Sequence, residues 1–382
     1  MSKTRGAVIA GGGTAGHVVP SLQVARALLA RGHAAESIEL YGSRRGQEAT
    51  IWPPLEFPFT LLPGRGIRRS MRPDALWANA GAVVGLLWAC LRAFISFVAR
   101  RPRVVVVVGG YASVPAGLAA LLTRVPVVLV NTDAVPGAAN ALLGRFAAAN
   151  AVAFAGTGLP RTHLTGTPVR PELSALDRSA VGQKEARSTL ALPSDRHTVA
   201  AFGGSLGARR INAAVAELAG QWSDRGDVTI YHVAGRRDFS DYAAAGVDAG
   251  AGAETEAAKG IFYRVVEYED RMPDLYKAAD LCICRAGAMT VAELMDTGMA
   301  SILVPLPGAP RDHQTRNALA LVDAGAAILL PDDECSGERL AAEVSALLSD
   351  PDRLTAMGAA ARALGHPDAA EQVAALVDAH AR

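Results

Sequence analysis

Residues 280–321 read DLCICRAGAMTVAELMDTGMASILVPLPGAPRDHQTRNALAL, and this stretch decides the fold. Leu281–Cys284 is a short apolar run bounded by polar residues, the pattern of a strand buried on both faces of a parallel sheet. Arg285-Ala286-Gly287 makes a small-residue turn, Ala288–Thr297 has helical spacing, and Gly298 stands where a left-handed C-cap is needed. A second strand, Ser301–Pro305, leads to a polar loop with Asp312, His313 and Gln314, then to another helix. Such a helix offers free N–H groups to an anion at its start, with Glu293 about one and a half turns in. The stretch reads as half of a nucleotide pocket.

The same grammar recurs three times. Gly6–Ala10 is a short strand running into Gly11-Gly12-Gly13-Thr14-Ala15-Gly16-His17, with a helix over Pro20–Arg31, Gly32 as its cap, and a strand at Ser37–Tyr41. Arg103–Val108 is nearly pure valine and ends at Gly109-Gly110-Tyr111-Ala112-Ser113, with the helix Pro115–Leu122 behind. Thr198–Phe202 ends at Gly203-Gly204-Ser205-Leu206-Gly207-Ala208, before the helix Arg209–Leu218. Glycines let the backbone approach a phosphate and the helix dipole favours its charge. The first loop also satisfies G-x-G-x-x-G, with Glu39 placed as a ribose ligand of a dinucleotide fold. A glycine turn that merely packs a helix on a sheet accounts for the same letters. The repetition across both halves of the chain predicts two Rossmann-like sheets with phosphates held in a cleft between them.

Composition is consistent with that. A chain of 382 residues, 50% hydrophobic and 20% charged, suits two domains with real cores. A net charge of +1 argues against a protein built to hold nucleic acid. Cys90, Cys282, Cys284 and Cys335 show no metal spacing; Cys282 and Cys284, on one face of a strand, read as core residues of a reduced, cytosolic protein. MSKTRGAVIAGGG lacks the apolar run and cleavage site of a signal peptide and reads as a first strand.

Leu76–Val98 is about as long as a membrane span needs to be. Asn79 and Arg92 interrupt the run and favour a helix buried in the domain; a helix whose outer face dips into a bilayer is the other reading. Arg65, Arg68, Arg69 and Arg72 before it, and Arg100, Arg101 and Arg103 after it, suit anionic lipid head groups, although a solvated face carries such charges too.

Val127–Val130 is a buried strand followed by the turn Asn131–Gly137, and Ala151–Phe154 is the expected last strand of the first domain. Thr165–Pro171 reads as the hinge, with Arg170 either a linker charge or a bidentate phosphate clamp. Beyond it lie strands at Val228–Val233 and Ile261–Val266, with Tyr268–Met272 at the end where ligands gather. Ala243–Lys259 reads as a surface loop. Glu338–Leu348 is a helix, and Leu354–Ala381 is helical and placed to pack back on the first domain. The domains expected are 1–166, 167–350 and a terminal helical segment 351–382.

With these residues in view the chain resembles the MurG family of N-acetylglucosaminyltransferases over nearly its full length. GGGTAGHVVPSLQVARAL, GGYASVPAGLAA, VPGAAN, GTPVRPEL, GGSLGARRIN, CRAGAMTVAEL and DHQTRNA fall in that family's order and spacing. The resemblance implies an α/β GT-B fold: two Rossmann-like parallel-sheet domains facing across a cleft. It implies UDP-GlcNAc as donor, an undecaprenyl-linked lipid acceptor, no cofactor and no metal. It also implies a peripheral place at an anionic membrane surface, the cytoplasmic face of the inner membrane, with no nucleic-acid partner. Asp350-Pro351-Asp352, the one Asp-x-Asp, lies between terminal helices and reads as a turn.

Carried over residue by residue, the resemblance makes His17 the general base. Thr14, Ala15 and Gly16 line the first loop beside the donor sugar. Gly12, Gly13, Gly109, Gly110 and Tyr111 form the acceptor-pyrophosphate loops. Arg170 and Ser205 meet the donor diphosphate; Ala288, Met289, Thr290, Val291 and Glu293 form the turn over diphosphate and ribose, and Gln314 reads the sugar. An inverting transfer needs a base for the attacking hydroxyl and dipoles for the departing UDP, and histidine suits the first task near neutral pH.

The chain also departs from the family. Val130-Asn131-Thr132-Asp133 stands for His-Glu-Gln-Asn, so Asp133 replaces an asparagine at the donor sugar. Ala15 replaces a glycine, Leu206 a glutamine and Thr167 an asparagine, and Glu269 stands where an apolar residue meets the uracil. A related transferase with another donor or acceptor, an inactive nucleotide-binding homologue and, on the first loop and Glu39 alone, a dinucleotide oxidoreductase remain as alternatives.

Overall fold

The computed structural model describes residues 6–63, 73–245 and 260–382, with the helical backbone alone over 73–80. β1 (Ala7–Gly11) alternates between two apolar layers: Ala7 and Ile9 pack with one, Val8 and Ala10 with the other. α1 (Ala15–Ala30) follows, then β2 (Ile38–Ser43), the single turn α2 (Glu48–Ile51), β3 (Phe59–Leu62) and the long α3 (Pro73–Arg100). β4 (Val104–Gly109), α4 (Ser113–Leu122), β5 (Val127–Asn131), α5 (Ala138–Leu143), β6 (Ala149–Val152) and β7 (Thr162–Leu164) complete the run. The sheet is parallel, in the order β3-β2-β1-β4-β5-β6-β7.

Every residue of β4 is buried, because helices cover both faces. Val18, Val24 and Leu28 of α1 meet Val104, Val106 and Val108 in one layer; Ala89, Ala93 and Phe97 of α3 meet Val105 and Val107 in the other. α15 (Ala369–His380), the last helix of the chain, adds Val373, Ala374 and Val377 to the first layer.

The second unit repeats the plan. α6 (Pro171–Ser174) and α7 (Ala180–Thr189) lead to β8 (His197–Phe202), α8 (Arg209–Gln221), β9 (Val228–Val233), the turn α9 (Phe239–Tyr242) and β10 (Phe262–Val266). α10 (Met272–Ala278), β11 (Leu281–Cys284), α11 (Ala288–Thr297), β12 (Ser301–Leu303), α12 (His313–Asp323), β13 (Ala327–Leu329), α13 (Gly337–Leu348) and α14 (Pro351–Ala363) follow. The strand order β10-β9-β8-β11-β12-β13 is again parallel and doubly wound.

The chain divides into Met1–Arg170 with His366–Arg382, and Pro171–Gly365. α14 packs on α11 and α13, so it belongs with the second unit, and α15 alone returns to the first. β7 follows β6, so Ala149–Val152 is not the last strand of the first unit; the chain adds an exposed three-residue edge. Glu39 is no ribose ligand. It is buried near the start of β2, away from the strand end where ligands gather, and accepts hydrogen bonds from Thr60 Oγ1 at 2.7 Å and Arg100 Nη1 at 3.3 Å.

The buried reading of Leu76–Val98 fails as well. Val84, Leu87, Trp88 and Ile95 of α3 are 67%, 65%, 53% and 56% exposed, while the opposite stripe is buried. Arg65, Arg68, Arg69 and Arg72, and Ala243–Lys259 beyond the short turn Ala243–Ala245, lie outside the described residues. The cysteines are free thiols, and burial pushes Cys282 up to about 12, as befits a core residue.

Candidate active site

In the first sheet the winding reverses between β1 and β4, and the loops that follow them sit side by side, where open α/β sheets bind ligands. The Gly12 N–H donates to the Gly109 carbonyl at 3.3 Å. Ser113 Oγ accepts the Gly109 N–H at 2.8 Å and lies 3.0 Å from the Ala10 carbonyl, which ties the two strand ends together. Tyr111 donates its hydroxyl to Pro63 O at 3.0 Å, fixing the far side of the second loop.

His17 belongs to the first turn of α1 rather than to the loop, because α1 begins at Ala15 and carries Pro20 in its interior. Its imidazole lies against the Gly109–Gly110 turn. A Cβ on Gly109 would sit 2.8 Å from Cε1, and one on Gly110 3.0 Å from Cδ2 and 2.0 Å from the Gly12 carbonyl oxygen. Both glycines take positive φ, 139° and 79°, so conformation and space each demand them. Burial pushes the imidazole below its ordinary 6.5, against Asp133, a backbone bond at Gly16, and Glu48. The ring is therefore neutral near pH 7, with a nitrogen able to accept a proton.

The departure at 130–133 has a structural account in part. Asn131 Nδ2 donates to the Asp133 carbonyl at 2.6 Å, and Asn131 Oδ1 accepts from Asn140 Nδ2 at 3.2 Å. Asn131 thus builds its own turn, while Asp133 turns its charge on His17. Arg170 ends the first unit.

The second unit holds the matching reversal, between β8 and β11. A cavity of about 570 Å³ opens there, lined among others by Ser205, Gly207, Arg237, Arg285, Thr290 and Gln314. α8 and α11 both start at it, and neither N-cap, Ala208 nor Gly287, supplies a side-chain bond. The first internal bond of α11 runs from Val291 N to Gly287 O at 2.9 Å, which leaves the N–H groups before it for an anion. Gly298 closes the helix at φ 62°, ψ 47°, the left-handed cap expected.

The sequence-derived residues divide here. Ser205, Thr290 and Gln314 line the cavity. Gln314 Oε1 accepts the Leu306 N–H at 2.9 Å, which commits the oxygen and leaves Nε2 as the donating end. Ala288 and Met289 are half-buried on the first turn of α11. Glu293 lies further along, where Tyr276 donates to Oε2 at 3.0 Å. Val291 is a correction: its side chain is fully buried and its N–H is used within the helix, so it supports the helix and offers a ligand nothing.

Glu269 does not face a ligand either. It is buried, accepts the Tyr231 hydroxyl on Oε2 and takes the Arg271 N–H on Oε1 at 2.7 Å. Tyr268 beside it is exposed, with the Arg236 guanidinium 5.0 Å above its ring.

Sequence reasoning missed Arg237 and Arg285. Arg237 donates to both oxygens of buried Asp238 at 2.6 Å, and Asp238 accepts from Asn212 Nδ2 at 3.2 Å. Asn212 Oδ1 in turn meets His232 Nε2 at 3.0 Å, and His232 Nδ1 meets the Tyr263 hydroxyl at 2.8 Å. This buried ladder anchors the third glycine loop. Arg285 Nη1 binds Asp332 Oδ1 and the Val304 and Pro305 carbonyls, bracing β12 beneath Gln314. Asp238 and Asp332 both lie outside the motifs that line the cavity, so no local spacing announced them.

Residues 7–152 match the glycosyltransferase family 28 N-terminal domain and residues 198–373 the family 28 C-terminal domain. A UDP-N-acetylglucosamine–N-acetylmuramyl-(pentapeptide) pyrophosphoryl-undecaprenol N-acetylglucosamine transferase from a Nocardioides species is 41% identical, over 97% of this chain and 96% of its own. The enzyme of the same name from Desulforudis audaxviator is 37% identical over 97% of each chain. The chain belongs to the MurG family of glycosyltransferases. The crystal structure of Acinetobacter baumannii MurG, 27% identical, superposes with a TM-score of 0.76 over 98% of this chain and 99% of its own. Membership makes the paired sheets the GT-B architecture of this family and the protein a glycosyltransferase, so the dinucleotide oxidoreductase reading falls.

Proposed function

We propose that this protein moves N-acetylglucosamine from UDP-GlcNAc, with inversion, to the C4 hydroxyl of the N-acetylmuramic acid in undecaprenyl-pyrophosphoryl-MurNAc-pentapeptide, the lipid I to lipid II step. The observation that carries the reading is the seat of His17: a neutral imidazole held against the Gly109–Gly110 turn in a chain 37–41% identical to transferases of that name. His17 takes the proton of the attacking hydroxyl as the new C–O bond forms at the anomeric carbon and the bond to UDP breaks. The charge left on the diphosphate falls to the open N–H groups of α11, to Ser205 and to Arg170. Gln314 donates to the donor sugar and Glu293 accepts from the ribose hydroxyls.

Donor profiling tests this. Purified protein with a soluble lipid I analogue is expected to release UDP from UDP-GlcNAc and to discriminate against UDP-glucose and UDP-GalNAc. Turnover with another sugar nucleotide in its place overturns the donor assignment. Since the helix N-termini and Arg170 serve the leaving group, turnover is expected to persist in excess EDTA; loss restored by Mg²⁺ would overturn the metal-free part.

The lipid acceptor also calls for a membrane surface, and α3 supplies a candidate. Its outward stripe of Val84, Leu87, Trp88, Leu91 and Ile95 is exposed, with exposed Arg101 and Arg103 at its end. Such an apolar face with basic flanks suits peripheral binding to anionic lipid, here at the cytoplasmic side of the cell membrane. The opposite stripe, Ala82, Ala89, Ala93 and Phe97, is buried against the first unit, which favours lying on the bilayer over crossing it.

A further inference from the structure

Glu48 sits on the single turn α2, outside every stretch assigned to substrate, yet it is fully buried. Its Oε1 accepts the Ser43 N–H at 2.6 Å and its Oε2 the Gly13 N–H at 2.8 Å. Three glycines make room for it. A Cβ on Gly12 would stand 2.2 Å from Oε1, one on Gly46 2.1 Å from Oε2, and one on Gly42 2.5 Å from Cγ. A buried carboxylate is costly unless bonded. Here two backbone donors, one at the end of β2 and one in the β1 loop, meet it from separate segments. A glutamine offers one acceptor oxygen and would set N–H against N–H at the other; only a carboxylate satisfies both.

We propose that Glu48 is a positioning residue for the transfer reaction: its carboxylate clamps the β1 loop to the end of β2 and so fixes the seat of His17. The chain of contact is short. Gly13 is bonded to Glu48, Gly12 N–H donates to Gly109 O, and the Gly109–Gly110 turn carries the imidazole. The clamp has an electrostatic consequence as well. The ionised form is the one that accepts both bonds, and its charge, with that of Asp133 on the turn after β5, opposes the effect of burial on His17. The proposal rests on His17 being the base.

Kinetics on the full chain, with UDP-GlcNAc and a soluble lipid I analogue, test it. Glu48→Gln is expected to lower kcat roughly 10- to 100-fold, the scale of a small misplacement at a reacting centre. It should also move the acid limb of kcat/KM to lower pH, which a role in packing alone would not do. UDP affinity, read by calorimetry, should stay within about twofold. Gly12→Ala leaves Glu48 chemically intact but drives its carboxylate aside, and the same fall in kcat with UDP affinity retained is expected. Wild-type kcat and an unmoved acid limb in Glu48→Gln overturn the proposal. So does loss of UDP affinity in both variants, which would make Glu48 a folding residue. His17→Ala separates the two ideas. If it is inactive while Glu48→Gln is active, only the clamp falls; if it retains turnover, the base reading falls and takes the clamp with it.

Discussion

Gly109 faces the edge of the His17 imidazole so closely that a methyl group there would lie 2.8 Å from Cε1. The backbone at Gly109, φ 139°, is also one that L side chains rarely adopt. Gly109→Ala must therefore push the ring off its seat, and kcat is expected to fall roughly 100-fold. On the proposed reading UDP binds in the cavity of the second unit, so its affinity should not change. Steady-state kinetics with parallel calorimetry would show the split; equal losses in both would deny it.

The pH dependence follows from the neutral ring. Burial holds His17 below 6.5, so the acid limb of kcat/KM is expected to have its midpoint under 6.5, with activity rising as the ring loses its proton. Asp133 is the first of the charges opposing that depression, so Asp133→Asn should carry the midpoint lower still. A midpoint that rises in Asp133→Asn would place the carboxylate's influence elsewhere.

His232 predicts a loss of stability in acid. It is fully buried between Asn212 and Tyr263, and burial lowers it to about 4. The unfolded chain binds a proton near 6.5 and the folded one does not. Stability from this group is thus whole above about 6.5 and is lost as pH falls toward about 4, by at most ~3 kcal/mol. Thermal unfolding across that range should show the slope, and His232→Gln should flatten it.

Lipid binding can be separated from chemistry. Leu87→Ser with Leu91→Ser removes two exposed apolar side chains one helical turn apart on α3. Co-sedimentation with anionic vesicles is expected to weaken at least ~10-fold, given what burial of two leucines contributes. Turnover of a soluble acceptor analogue should be unaffected. Unchanged sedimentation would remove α3 from the membrane reading.

The fold was legible where elements are long, apolar and punctuated. β9 and α11 fall on the residues the pattern predicts, because Val228 and Val233 bound the β9 run and Gly298 ends the helix. β3 escaped notice because Phe59–Leu62 is a short edge strand following three prolines. The exposed Thr162–Leu164 of β7 shows no apolar alternation at all. Pro20 suggested a helix start, since proline favours that position, yet α1 had begun five residues earlier at Ala15. At the site, glycine loops and helix starts were readable because they are local. Glu48, Asp238 and Asp332 were not, since their meaning comes from partners brought in by the fold, Gly13 for the first, Asn212 for the second and Arg285 for the third. Val291 looked like a ligand contact only because it directly follows Ala288, Met289 and Thr290, which are half-buried, whereas its own side chain turns into the core.

α15 closes the first unit from the far end of the chain. Arg31 pairs with Glu371 and with Asp378, and Val373, Ala374 and Val377 sit among Val128, Val130 and Ala151. During synthesis, residues up to Arg170 leave the ribosome with the part of that layer beneath α15 uncovered, and it stays so until nearly two hundred more residues have been made. The second unit, a contiguous segment, can finish first although it is translated later. The unit bearing the proposed base thus matures last, and nascent chains depend meanwhile on whatever shields an open sheet face.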